Sequence, residues 1–234
     1  MSNPIDLIKV YGDIQDLVRL GQDHDGGYVI NKSALDESEV LYTYGVGWTY
    51  EFEKQYCSMF NTKSVFMYDP TIDLLDPKED NINFFQLGLH GYLEGKTSFN
   101  AHLDINSHQN KKIFLKIDVE GHEYDFFKYV NLDTLKNVTG IAVEFHNLQS
   151  NFHNMVSIIS KLKEVILPTH IHGNNHTPMM SGSNGFTFPS TVEVSFANKN
   201  LIGSQESVSR SYPLAGLDFP NAISLPDQEF KVYE

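Results

Sequence analysis

The stretch Lys116-Ile117-Asp118-Val119-Glu120-Gly121-His122-Glu123-Tyr124 follows directly on the apolar run Ile113-Phe114-Leu115. An uninterrupted apolar run of that length suits a strand covered on both faces. A carboxylate pair at its end, followed by a turn through Gly121, suits the carboxyl edge of an open α/β sheet, which is where such sheets bind their ligands. Upstream, Leu41-Tyr42-Thr43-Tyr44-Gly45-Val46-Gly47 has the same strand-into-glycine form and reads as a cofactor loop. The two together point to an enzyme of the α/β class.

Short β-rich runs alternate with helical segments, as in a mostly parallel sheet with helices on both faces. The expected strands are 40–44, 64–68, 83–87, 113–117 and 140–145. Phe52, Tyr56, Met59 and Phe60 recur at helical spacing and make 50–60 the first crossover helix. A short helix is expected through Tyr124, Phe127 and Val130, ending at Asn131, and a longer one over 151–163. Residues 165–172 and 187–196 read as two final strands, antiparallel at their junction because no helix intervenes, around a long loop near 172–186. Tyr212 to Pro220 holds too many breakers for a helix and is expected to lie across the surface. The expected organisation is one domain over 1–234: an N-terminal cap segment of about 35 residues, then the core.

Composition narrows the function. A chain of 234 residues with 41% apolar and 20% charged residues is long enough for one sizeable core. Its formal net charge of -13 argues against nucleic acid or an anionic membrane as partner, because phosphate binding needs clustered Lys and Arg. The single Cys57, the absence of a signal-peptide pattern and the lack of a spanning apolar run make the cytoplasm the expected compartment. The oligomeric state is left open.

Three strand ends read as one ligand site. Gly45 and Gly47 let backbone approach a ligand closely, but Tyr50 stands where a dinucleotide fingerprint wants a third small residue, which tells against NAD and FAD. Asp69, after Met67-Tyr68, is placed to accept ribose hydroxyls. Leu87 and Gly88, ending the third strand, would border an adenine. Ribose recognition without a diphosphate cradle is what S-adenosylmethionine (SAM) requires. Gly91-Tyr92-Leu93-Glu94-Gly95-Lys96-Thr97 has three residues between its glycines where a phosphate loop needs four, which tells against ATP, and Glu94-Gly95-Lys96 reads as a turn.

Histidines and carboxylates supply the remaining chemistry. Asp118 and Glu120 are placed to orient an amino group or a substrate hydroxyl, or to bind a metal. Glu144 and His146 share a side if their strand continues, and an imidazole titrating near neutrality suits a general base. His170 and His172, two apart, are metal ligands, substrate contacts or a second base; Asn174 follows them. The first choice of base is His146, with His172 next and Asp118 orienting the reactants. Tyr28, His170 and Asn174 are expected to contact the acceptor. No metal is assigned, although Asp118, Glu144 and His146 would form a ligand set.

These motifs resemble the FkbM-type SAM-dependent methyltransferases, in which Lys-Ile-Asp-Val-Glu-Gly-x-Glu recurs; here it is Lys116 to Glu123. Arg19-Leu20-Gly21 with Asp25-Gly26-Gly27-Tyr28-Val29, Asp69-Pro70-Thr71, His170 to Asn175 and Leu217-Asp218-Phe219-Pro220-Asn221 resemble a bacterial branch of that family. The resemblance implies a Rossmann-like methyltransferase fold with a seven-stranded sheet, SAM as donor and a sugar or polyketide hydroxyl as acceptor. It implies that Gly45 and Gly47 border the methionine part of SAM, Asp69 the ribose and Asp118 the transfer site. Trp48 and Thr49 stand where small and acidic residues are expected. The resulting expectation is O-methylation of a sugar or nucleotide sugar in surface polysaccharide synthesis. The rivals are a metal-dependent hydrolase on Asp118, Glu144, His146, His170 and His172, and a non-catalytic nucleotide- or carbohydrate-binding protein of the same fold.

Overall fold

The computed structural model describes residues 8–60, 63–73, 75–89, 97–181 and 187–233. Its centre is a seven-stranded sheet built from β1 (Val40–Tyr44), β2 (Ser64–Tyr68), β3 (Ile82–Phe85), β4 (Ile113–Ile117), β5 (Val138–Phe145), β6 (Ile166–Gly173) and β7 (Val192–Asn198). The strand order is β3-β2-β1-β4-β5-β7-β6. β3, β2, β1, β4 and β5 pair in parallel, whereas β7 runs antiparallel to both β5 and β6. This is the seven-stranded, Rossmann-like sheet that the motifs imply.

Every residue of β1, β4 and β5 is buried, as expected where both faces are covered. Alternation divides the core. Tyr42, Tyr44, Leu115 and Ile117 face one apolar cluster, and Leu41, Val65, Met67 and Phe114 face the other. The short helix α1 (Lys32–Glu37) lays Ala34 and Leu35 on the second face, and the first crossover helix, α2 (Glu51–Met59), adds Phe52 and Tyr56. On the first face, α4 (Glu123–Tyr129) contributes Phe126 and Phe127 and α6 (Leu148–Leu162) contributes Met155 and Ile159. Truncating a buried aromatic such as Phe52 costs about 3–5 kcal/mol.

Several boundaries differ from the sequence expectation. β3 ends at Phe85, two residues early, because Leu87 N–H bonds back to the Phe85 carbonyl and turns the chain out of the sheet. A helix not read from the sequence, α3 (Phe99–Ile105), precedes β4; the Ser98 side chain caps it by accepting from Ala101 N–H. The expected strand 187–196 is two pieces, Thr187–Pro189 and β7. The C-terminal segment forms no helix, as expected, but it is not superficial. Tyr212, Leu214 and Asp218 are buried, because the Tyr212 ring stands edge-on to His170 and stacks on Phe230. Glu94-Gly95-Lys96, read as a turn, lies outside the described residues. No helix among the described residues is long and apolar enough to cross a membrane.

Winding reverses between β1 and β4, so the ends of these neighbouring strands form the topological switch point at which open α/β sheets bind ligands. The strands stay paired to their tips: Asp118 N–H donates to the Tyr44 carbonyl (2.8 Å), and Gly45 N–H to the Tyr68 carbonyl (3.0 Å).

Candidate active site

Gly45 is the closest approach in the switch point. Its φ is +80°, and a Cβ there would lie 1.6 Å from the Asp118 carbonyl oxygen, so no other residue fits. Beyond it opens a cavity of about 240 Å³ lined by Gly45, Asp69, Gly88, Leu89, Asp118 and Glu120, among others. Four residues chosen from strand ends therefore meet around one space: Gly45, Asp69, Gly88 and Asp118. Two do not line it. Leu87 packs on the core and Leu89 takes the wall position, which follows from the early end of β3. Gly47, at φ +66°, stands in the loop, and a Cβ added there would meet nothing within 4 Å.

Asp69 is held more tightly than the ribose contact expected of it requires. Oδ1 accepts from Thr71 N–H (2.8 Å) and Thr71 Oγ1 (2.6 Å), and Oδ2 accepts from Val46 N–H (2.9 Å). Burial alone would raise its pKa, but the Thr71 hydroxyl and the backbone N–H groups of Val46, Thr71 and Gly47 outweigh it and hold the carboxyl below its usual range. In this structure Asp69 fastens the glycine loop to the end of β2.

Below the loop, Lys116 is 4% exposed. Its ammonium donates to the Gly45 carbonyl (3.3 Å) and stands 3.8 Å from Glu53, which accepts from Thr43 Oγ1 (2.9 Å).

His146 adjoins Asp118 from β5. Its Nε2 lies 3.8 Å from Asp118 Oδ1, 3.4 Å from Glu120 Oε2 and 3.6 Å from Glu144 Oε2. Its ring is set by Glu123, whose Oε1 accepts from His146 N–H (2.8 Å) and faces Nδ1 (3.3 Å) while Oε2 accepts from Gly121 N–H (2.8 Å). Tyr124 Oη also donates to the His146 carbonyl (2.5 Å). Burial works to lower the His146 pKa, but Glu123, Asp118 and Glu120 prevail and raise it. Glu123 was not singled out from the sequence. Its position five residues after Asp118, at the start of a helix, was the available signal.

Tyr28 and Asn174, expected to touch an acceptor, hold the carboxylates in this structure. Tyr28 Oη donates to Asp118 Oδ2 (3.2 Å), and Asn174 Nδ2 to Glu144 Oε1 (2.6 Å). Burial, then Asp118, Glu144, Glu193 and Asp25, push the Tyr28 phenol well up, so it remains a donor. Burial and the neighbouring charges of Asp118 and Glu193 likewise raise Glu144 well above the usual carboxylate range. The tight hairpin of Leu17–Leu20 with Tyr28–Asn31 delivers Tyr28. At its turn, a Cβ on Gly27 would meet the Gln22 carbonyl at 1.9 Å.

The remaining histidines are spoken for. His170 Nε2 pairs with Asp218 (3.1 Å). His172 meets Glu193 through Nδ1 and Asp227 through Nε2, both at 3.2 Å. Although burial would lower it, the bonds to Asp227 and Glu193 push the His172 pKa up to about 10. The five-residue metal cluster of the hydrolase alternative is therefore not assembled: His170 and His172 turn to Asp218, Glu193 and Asp227.

Two solved structures show a distant likeness. A precorrin-6y C5,15-methyltransferase from Geobacter metallireducens is 8% identical, with 70% of this chain and 84% of that one covered at a TM-score of 0.37. A 16S rRNA (adenine(1408)-N(1))-methyltransferase variant from Catenulisporales acidiphilia is also 8% identical, with 74% and 90% covered at 0.31. No curated protein matches the chain. Residues 96–166 match the family described as the methyltransferase FkbM domain. That segment contains β4, the Asp118 to Gly121 turn, α4, β5 and His146, so the match covers the centre of the site.

Proposed function

We propose that the protein transfers a methyl group from SAM to a hydroxyl of a sugar or nucleotide sugar, in the cytoplasm, during surface polysaccharide synthesis. The observation that carries this reading is the single cavity in which Gly45, Asp69, Gly88 and Asp118 meet at the switch point, with His146 beside Asp118. SAM's methionine portion would lie along Gly45 and its ribose toward Asp69, with Gly88 leaving room for the adenine. The carboxylates at Asp118, Glu120 and Glu144 suit a neutral hydroxyl next to a sulfonium cation, and the net charge of -13 favours a small acceptor over nucleic acid or membrane.

The sulfonium is already a strong electrophile, so the protein's work is alignment and proton removal. The acceptor oxygen forms a bond to the methyl carbon while the carbon–sulfur bond breaks and its electron pair returns to sulfur. Among this chain's own side chains, His146 takes the hydroxyl proton and Asp118 orients the reactants. His172, with both ring nitrogens bound to carboxylates, supports the strands instead.

Calorimetric titration with S-adenosylhomocysteine, with and without chelator, tests the cofactor. Binding near one equivalent is expected, and no heat under either condition overturns the reading. Incubating SAM with a panel of nucleotide sugars and reading mass tests the acceptor, where a gain of one methyl group is expected.

A further inference from the structure

Four side chains at the ends of β4 and β5 share an arrangement that proton transfer alone does not call for. Three of them have one polar atom engaged by an orienting neighbour and one left over. Asp118 has Oδ2 engaged by Tyr28, Glu144 has Oε1 engaged by Asn174, and His146 has Nδ1 against Glu123. The atoms left over are Asp118 Oδ1, Glu144 Oε2 and His146 Nε2, and the exposed Glu120 adds Oε2. All three carboxylate oxygens stand 3.4–3.8 Å from His146 Nε2.

That spacing is informative. A charged imidazole hydrogen-bonded to a carboxylate closes to about 2.7–2.9 Å, and Nε2 has one proton for three oxygens. Ligand atoms around a shared ion at about 2.1 Å stand roughly 3.0 Å apart in an octahedron and about 3.4 Å apart in a tetrahedron. One atom from each of Asp118, Glu120 and His146 falls within 4.8 Å of the others. Glu144, 4% exposed, stands behind this set with its Oε2 3.6 Å from Nε2. The Glu123 carboxylate on Nδ1 is the kind of partner that metal-binding histidines have, because it fixes the ring and leaves Nε2 for the ion. The backbone conforms too: Glu120 and Asn147, next to His146, are two of the three non-glycine residues with positive φ among those described.

We propose that Asp118, Glu120 and His146 bind a divalent cation that holds the acceptor hydroxyl for methyl transfer. The inference rests on the methyl-transfer reading and replaces its proton acceptor. With an ion on Nε2, His146 anchors the ion, and the coordinated hydroxyl loses its proton to water instead of to the imidazole. One nitrogen with several carboxylate oxygens suits a first-row ion such as Mn²⁺ or Fe²⁺ better than Ca²⁺.

The test uses Mn²⁺ alone on the chelator-treated full chain, followed by the loss of the aqueous Mn²⁺ resonance signal and by calorimetry. Wild type is expected to bind one equivalent. Asp118→Asn and His146→Ala should weaken binding at least 100-fold, and Tyr28→Phe and Glu123→Gln, which remove only the neighbours that orient Asp118 and His146, about 10-fold. Circular dichroism identifies any variant that fails to fold, and the four variants are independent of one another. The inference is overturned if wild type binds no Mn²⁺, or if the folded Asp118 and His146 variants bind it as wild type does. S-adenosylhomocysteine binding without metal binding removes the ion and leaves the methyltransferase reading intact. Metal binding without S-adenosylhomocysteine binding does the reverse.

Discussion

The two halves of the sheet edge are built from different materials. On the side of β1, β2 and β3, the cavity wall is backbone and short-range: Gly45 against the Asp118 carbonyl, and Asp69 pinned by Val46 and Thr71. On the side of β5, β6 and β7, it is buried charge joined over long separations. Glu144, Glu193 and His172 face one another in register across three strands. Arg19 reaches the Leu217 carbonyl, His24 the Pro220 carbonyl and Asn221 the Glu193 carboxylate. A wall of backbone is sensitive to added atoms and indifferent to most side chains. A wall of paired charges is sensitive to a single lost charge and to pH.

The largest effect is expected on the backbone side, from Gly45→Ala. The new methyl would occupy the Asp118 carbonyl position at a φ of +80°, so the ends of β1 and β4 must separate. A loss of about 3 kcal/mol or more, or roughly 10 °C in Tm, should accompany loss of S-adenosylhomocysteine binding. Gly47→Ala has open space around it and should cost about 1 kcal/mol, from backbone strain alone. Scanning calorimetry of both variants checks the contrast; equal Tm values would mean that the strand ends do not meet at Gly45.

On the charged side, Glu123→Gln should come next. Glu123 is fully buried and serves Gly121, the His146 backbone and the His146 ring at once. Breaking such a network costs about 1–3 kcal/mol. With His146 as the base, loss of Glu123, which helps to raise its pKa, should move the rising limb of the pH–rate profile to lower pH; with an ion on Nε2 the limb should stay in place. A profile unchanged in position would show that the limb belongs to another group.

A smaller, pH-dependent effect is expected at His172. Its folded pKa, near 10, lies above the ordinary histidine value of 6.5. The stability it contributes is therefore fully present below about pH 6.5 and is lost as pH rises through about 10. His172→Asn should be less stable than wild type at pH 6.5 and show a flatter decline of Tm toward pH 10. Parallel declines would place the titrating charge elsewhere. Asp218, whose pKa is lowered, acts in the opposite window, losing its contribution as pH falls below the usual carboxylate range.

This contrast also explains what could be read from the chain. Gly45, Asp69, Gly88 and Asp118 follow apolar runs, and a strand of a parallel sheet announces its own end, so their convergence was legible. Leu87 does not line the cavity because one local turn after Phe85 shifts every later residue along the wall. α3 left a trace in Ser98 and in the Phe99 and Leu103 spacing, but seven residues are too few for a periodic signal. His170 and His172 stood out as a pair, yet their partners Asp218, Glu193 and Asp227 lie 21–55 residues away. No local pattern says which carboxylate a histidine will meet. Tyr28 likewise meets Asp118 across 90 residues, and only the folded hairpin reveals that it orients a carboxylate.

The smallest effect expected is the sharpest test of the backbone side. Trp48 stands next to Gly47 with its surface fully exposed, at 106% of the reference area. Removing it forfeits no burial, so Trp48→Ala should leave Tm within about 1 °C, as substitutions at exposed positions away from caps and networks usually change stability by less than about 0.5 kcal/mol. If backbone builds this wall, S-adenosylhomocysteine affinity should also hold to within about threefold, because Gly45, Val46 N–H and the Asp69 anchor are untouched. A tenfold weakening at unchanged Tm would mean that the indole folds over the bound cofactor. The cofactor half would then depend on a side chain as the other half does, and the division between the two would fall.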